Sequence, residues 1–129
     1  MTAGFQRVTI VGVGLIGGSL GLAMRRRGLA GRIVGVGHRQ TSLDAARRRG
    51  AVDEATLDVA RGVAGADLVV LATPVSLIVP LAEAARDALR AGAVLIDVGS
   101  TKARIAAALH PLAEAAGAWF VGTHPLAGS

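Results

Sequence analysis

The chain has 129 residues, enough for one domain with a sizeable core, and it is 52% hydrophobic with only 2% aromatic residues. It has no cysteine, which excludes disulfides, thiolate metal sites and a cysteine nucleophile, and no metal site is expected. The 14 basic residues against 9 acidic ones give a net charge of +5, but one Trp, two Phe and no Tyr offer little to stack on bases, so nucleic acid is not an expected partner.

Met1–Gln6 reads as a loose terminus. Val8–Val11 is an apolar run of the buried-strand kind. It leads into Gly12-Val13-Gly14-Leu15-Ile16-Gly17, and a helical pattern follows from about Leu15 to Arg27. A G-x-G-x-x-G between a strand and a helix is the fingerprint of dinucleotide binding. Gly12 permits the tight turn out of the strand. Gly14, lacking a Cβ, lets a pyrophosphate approach the backbone, and Gly17 lets the helix pack close to the sheet. The helix start adds free N–H groups, including those near Leu15 and Ile16, and the positive end of its dipole.

Two rival readings of this stretch are weaker. Arg7 followed by an uncharged run to Met24 resembles a signal peptide or membrane segment, but the run is short for a span and rich in glycine. No cleavage site follows, whereas an arginine triplet does. No membrane partner is therefore expected, and the protein is placed in the cytoplasm. A methyl-donor site on the same fold is the other rival, and the glycine spacing favours a dinucleotide.

Ile33–Val36 is the second strand, bounded by glycines. Thr41 begins a second helix, with Asp44 three residues on as a capping box, and this helix ends near Arg49. Arg25-Arg26-Arg27 before Gly28 and Arg47-Arg48-Arg49 before Gly50 both read as the last turn of a helix with a left-handed glycine beyond it. Residues 51–57 hold at most a short third strand. Residues 67–73 form a fourth strand, ended by Pro74. The helix after it spans about Leu77–Leu89, with Pro80 in its first turn or at a kink. Residues 93–99 form a fifth strand, and Ser100 or Thr101 caps a helix that stops near His110 because of Pro111. A short helix restarts there and reaches Ala116, and residues 119–123 form a sixth strand.

Strands alternating with helices at this spacing predict an α/β domain over residues 1–129: a doubly wound, mainly parallel Rossmann-type sheet with helices on both faces. Ligands of such sheets bind outside the carboxyl ends of the strands. Candidate binding residues are therefore Gly12, Gly14, Leu15, Ile16 and Gly17, then His38 and Arg39 after the second strand, and Thr73 and Pro74 after the fourth. An NAD site usually carries an acidic residue at the end of the second strand. Here that end reads Gly37-His38-Arg39, with Thr41 or Ser42 nearby. Nothing there repels a 2′-phosphate and Arg39 is suited to grip one, so NADP is preferred, with NAD as the other choice.

Four segments in order, GVGLIGGSLGLA (12–23), DLVVLATPV (67–75), VLIDVGSTKARI (94–105) and FVGTHPLAGS (120–129), together resemble the prephenate/arogenate dehydrogenase family of tyrosine biosynthesis. The last two are the specific ones. The resemblance implies that Ser100 and His124 border the nicotinamide and the substrate, and Gly37-His38-Arg39 resembles the NADP-using members. It also implies oxidative decarboxylation of prephenate or arogenate: hydride passes from the hydroxyl-bearing ring carbon to the nicotinamide, the hydroxyl gives up its proton, and carbon dioxide leaves as the ring aromatises. An imidazole suits the part of hydrogen-bond acceptor because it exchanges protons near neutral pH. Ser100 orients His124 or binds the substrate hydroxyl, unless it is only a helix cap. Lys102 either attracts a dicarboxylate or is a solvated helix start, Asp67 and Asp97 read as structural, and His110 as a surface residue.

Family members carry a second, all-helical domain that dimerises and supplies basic residues for the substrate. The resemblance thus implies that these residues are the first domain of a longer enzyme, that a homodimer forms only with the second domain, and that this chain alone turns over little. The alternatives are a β-hydroxyacid dehydrogenase of related architecture, against which HPLAGS argues, and a non-catalytic NADP(H)-sensing module.

Overall fold

The computed structural model describes residues 4–98 and 103–122. Six strands form one parallel sheet: β1 (Phe5–Val11), β2 (Ala30–Val36), β3 (Glu54–Thr56), β4 (Leu68–Leu71), β5 (Val94–Asp97) and β6 (Trp119–Gly122). Their order is β3-β2-β1-β4-β5-β6, so the chain winds outward from β1 to one edge, crosses back, and winds from β4 to the other. Right-handed crossovers then force the helices of the two halves onto opposite faces. On one face α1 (Leu15–Arg26) and α2 (Gln40–Arg48) bury Met24, Leu43 and Ala46 against Val8, Ile10, Ile33 and Val70. On the other, α3 (Val59–Val63), α4 (Val75–Ala85) and α5 (Ala103–Ala115) bury Val63, Ile78, Leu109 and Leu112 against Val69, Leu71, Leu95 and Phe120. All four residues of β4 are buried, as a central strand with two covered faces requires.

The doubly wound parallel sheet is thus as the sequence implies, and so are the helix ends at the two arginine triplets. Gly28 (φ 65°) and Gly50 (φ 78°) take the left-handed conformation just past Arg27 and Arg49. Several boundaries differ. β1 begins at Phe5, within the stretch read as loose. The Asp67 carboxylate accepts hydrogen bonds from the backbone N–H groups of Gln6 and Arg7, both at 2.9 Å, and the Phe5 N–H donates to the Leu29 carbonyl at 2.8 Å. The capping box expected at Thr41 is not formed. Helix α2 starts one residue earlier with Arg39 in the cap, and Gln40 Nε2 donates to Asp44 Oδ1 at 3.0 Å instead.

Helix α3 has no counterpart in the sequence reading. It is five residues long, too short for a hydrophobic period, and only Asp58, whose side chain accepts from the Arg61 N–H at 3.3 Å, marks its start. Helix α4 begins at Val75 with Pro74 as its cap, and Pro80 lies beyond the first turn, inside the helix. A 3-10 turn at Arg86–Ala88 completes what reads as one longer helix. Helix α5 continues through Pro111 to Ala115 instead of stopping near His110. Ile105 and Leu109 before the proline and Leu112 and Ala113 after it are all buried against the same core, which holds both halves in line. His110 lies at the surface, its ring edge-on to Phe120 with centroids 5.0 Å apart.

A candidate dinucleotide cleft

The carboxyl ends of β1, β2 and β4 meet at one place, because these strands are neighbours in the sheet. Gly12 leaves β1 with φ 101°, and its N–H donates to the Val36 carbonyl at 2.7 Å, tying the turn to the end of β2. A Cβ at Gly12 would lie 2.7 Å from the Ala72 carbonyl oxygen and 2.9 Å from Thr73 Cγ2, so the turn is pressed against the end of β4. At Gly17 a Cβ would collide with the Gly12 carbonyl oxygen, and α1 packs this close to β1 only with glycine there. Gly14, the cap of α1, faces open space. The first α-type bond of the helix runs from the Gly18 N–H to the Gly14 carbonyl at 2.8 Å, so the N–H groups of Leu15, Ile16 and Gly17 are the orphan donors of a helix start. Leu15 and Ile16 themselves stand 83% and 61% exposed there.

Next to this turn lies a cavity of about 390 Å³, lined among others by Gly12, Val36, Gly37, His38 and Thr73. Its walls are mainly apolar and include Leu57, Val59, Leu77 and Leu81, none of them singled out from the sequence. They come from α3, α4 and the connection before α3, and nothing in their local pattern says that the crossover brings them over the end of β1. The Thr73 Oγ1 is buried and has no hydrogen-bond partner among the described residues. A buried hydroxyl is normally paired, so one left open beside a glycine turn and a cavity fits a site shaped for a polar ligand. Pro74 caps α4 immediately after it.

At the end of β2, His38 and Arg39 are exposed, and Arg39 makes no ion pair among the described residues. Thr41 lies exposed in the first turn of α2. A Cβ on Gly37 would sit 3.0 Å from Leu43 Cδ2 and 3.6 Å from Val13 Cγ2, so a larger residue here would press on the Leu43 side chain. Ser100 and His124 lie outside the described residues. The strands leading to them end side by side, Asp97 of β5 opposite Gly122 of β6, and Asp97 is fully buried.

A larger, open depression of about 700 Å³ lies where the C-terminal ends of α1 and α2 meet, lined by Arg25, Arg47, Arg48, Asp44 and Asp53. Two of its polar groups are paired: Arg25 bonds Asp53 at 2.9 Å and donates to the Gly50 carbonyl, while Asp53 also accepts from the Ile33 N–H. It lies at the opposite end of these helices from the glycine turn. Among the described residues no cluster of three or more His, Asp or Glu side chains is placed to hold a metal ion, and no helix is long and apolar enough to cross a membrane.

Residues 20–129 match the family model described as prephenate dehydrogenase, nucleotide-binding domain. The chain belongs to the prephenate dehydrogenase family. It is 32% identical over 96% of its length to the prephenate dehydrogenase of Lactococcus lactis, of which it covers 35%. Among solved structures, the prephenate dehydrogenase of A. aeolicus in complex with hydroxyphenyl propionate and NAD+ superposes with a TM-score of 0.86 at 32% identity, over all of this chain and 44% of that one. The arogenate dehydrogenase of Synechocystis superposes with a TM-score of 0.83 at 36% identity, over 93% of this chain and 41% of that one. The chain thus spans about a third of the length of the curated relatives it matches. The family match begins after the glycine turn, and the superposition on the A. aeolicus enzyme takes in the turn as well.

Proposed function

We propose that residues 1–129 are the cofactor-binding domain of an NADP-preferring prephenate or arogenate dehydrogenase. The observation that carries the reading is the open glycine turn at the head of α1, set beside a cavity with an unpaired Thr73 hydroxyl in a chain of this family. Gly12, Gly14 and Gly17 clear the approach for a pyrophosphate, and the N–H groups of Leu15, Ile16 and Gly17 point their dipoles at it. Thr73 donates to the cofactor from the end of β4, and Pro74 gives the nicotinamide a rigid shelf. His38 packs beside the adenosine, while Arg39 and Thr41 take the 2′-phosphate. The absence of a carboxylate at Gly37 and an Arg39 without an ion pair among the described residues support NADP over NAD, and NAD remains the alternative cofactor.

The nicotinamide, when bound, supplies the hydride acceptor of an oxidative decarboxylation. His124 accepts the hydrogen bond and then the proton of the substrate hydroxyl, and Ser100 holds His124 or the hydroxyl in place. An all-helical second domain, dimerising and rich in basic residues, completes the substrate site in the whole enzyme, a soluble cytoplasmic catalyst of tyrosine biosynthesis. Calorimetric titration of this chain with NADP+ and NAD+ at one salt concentration tests the cofactor reading. NADP+ is expected to bind more tightly, and Arg39→Ala to remove about tenfold of that affinity with little effect on NAD+. Equal or tighter NAD+ binding would reject the preference.

A further inference from the structure

The three arginines that end α2 look alike in the sequence, as charges complementing a helix terminus. The fold separates them. Arg47 and Arg48 line the depression beside Arg25. Arg49 instead lays its side chain against α1, with Nη2 3.0 Å from the point where a Cβ on Gly18 would lie. The carbonyl oxygen of Val13, in the middle of the phosphate turn, is 3.7 Å from that same point.

The approach follows a track without side chains. Gly14, Gly18 and Gly21 recur at spacings of four and three, which places them on one face of α1. Gly21 backs onto the Ala51 carbonyl, Gly18 receives the Arg49 guanidinium, and Gly14 faces open space. Gly18 lies one turn, about 6 Å along the axis, from Gly14 at the mouth of the site. Arg49 is an exposed residue, and among the described residues its guanidinium has neither an ion pair nor a hydrogen-bond acceptor.

We propose that Arg49 is a phosphate-binding residue of the dinucleotide site, reaching along the glycine track of α1 to a phosphate held at the head of that helix. This rests on the dinucleotide reading above. A planar fork of donors matches phosphate oxygens, and next to the helix terminus it adds a full charge to the partial charge of the dipole. The pyrophosphate and the 2′-phosphate present the same chemistry, and NAD+ carries only the first.

The test is calorimetric titration of NAD+ and NADP+ into the wild-type chain, Arg49→Met, Arg48→Met and Gly18→Ala at one low ionic strength, with thermal melts confirming that each is folded. Arg49→Met is expected to weaken binding about tenfold. Arg48→Met removes the same charge from the same helix end and is expected to change affinity less than about twofold. An equal loss for both nucleotides assigns Arg49 to the pyrophosphate, and a loss confined to NADP+ assigns it to the 2′-phosphate. Gly18→Ala puts a methyl 3.0 Å from Nη2 and pushes the guanidinium off its present place, so it should weaken binding in the wild type by less than Arg49→Met does and add nothing in Arg49→Met. Unchanged affinity in Arg49→Met, or an equal loss in Arg48→Met, overturns the inference. If the folded wild type binds neither nucleotide, the dinucleotide reading itself fails and Arg49 loses its role with it.

Discussion

Thr73 carries a polar atom that the described part of the fold leaves unanswered. Its hydroxyl is buried without a partner among the described residues, and a buried hydroxyl left unpaired costs about 1–3 kcal/mol. Valine has nearly the same shape and no such cost. Thr73→Val is therefore expected to raise the stability of the ligand-free chain by about 1 kcal/mol and to weaken NADP+ binding, moving the two properties in opposite directions. Urea unfolding and calorimetry on the same preparation check this. A variant that lost both would mean that the hydroxyl serves the fold, and one that kept its affinity would remove Thr73 from the site. The sequence pointed to Thr73 through its position after an apolar strand. That its oxygen is unpaired is a property of packing and had no sequence signal. The same holds for Arg49, which in the sequence is one of three equivalent cap charges.

At the scale of elements, long periodic segments were legible and short or strained ones were not. The glycine turn, α1 and β4 follow from local pattern, since a run of buried aliphatics or a G-x-G-x-x-G depends on neighbours in sequence. Helix α3 was missed because five residues give no period. Helix α5 was cut at Pro111 because an interior proline removes a hydrogen bond and costs about 3 kcal/mol. Burial of Leu109, Leu112 and Ala113 against the sheet outweighs that cost. If so, Pro111→Ala recovers part of it, and the unfolding free energy is expected to rise by roughly 1–3 kcal/mol. Unchanged stability in urea would mean that proline's stiffening of the unfolded chain offsets the lost bond. Destabilisation would mean that the helix needs the proline.

At the scale of the whole molecule, the parallel sheet brings the proposed cofactor contacts at the ends of β1, β2 and β4 together, with Arg49 reaching them from the far end of α2, while the proposed substrate contacts are divided between this chain and a further domain. Little or no oxidation of prephenate or arogenate is therefore expected from these 129 residues, even at saturating NADP+. A version extended to the full length of its relatives is expected to be active, and to lose about 10²-fold or more in rate on His124→Asn. Reduced-nucleotide absorbance follows both. Turnover by the short chain would end the two-domain reading, and an extended enzyme indifferent to His124→Asn would end its role as acceptor.

The fold class and the family could be read from the chain alone, because both rest on local periodicity and on short motifs in a fixed order. Packing set the rest: the apolar wall of Leu57, Val59, Leu77 and Leu81, the early start of β1 on Asp67, the passage of α5 through Pro111 and the reach of Arg49 to Gly18. Each depends on elements or side chains that only the folded chain brings together. Which groups meet there is set by crossovers and packing that no local pattern records.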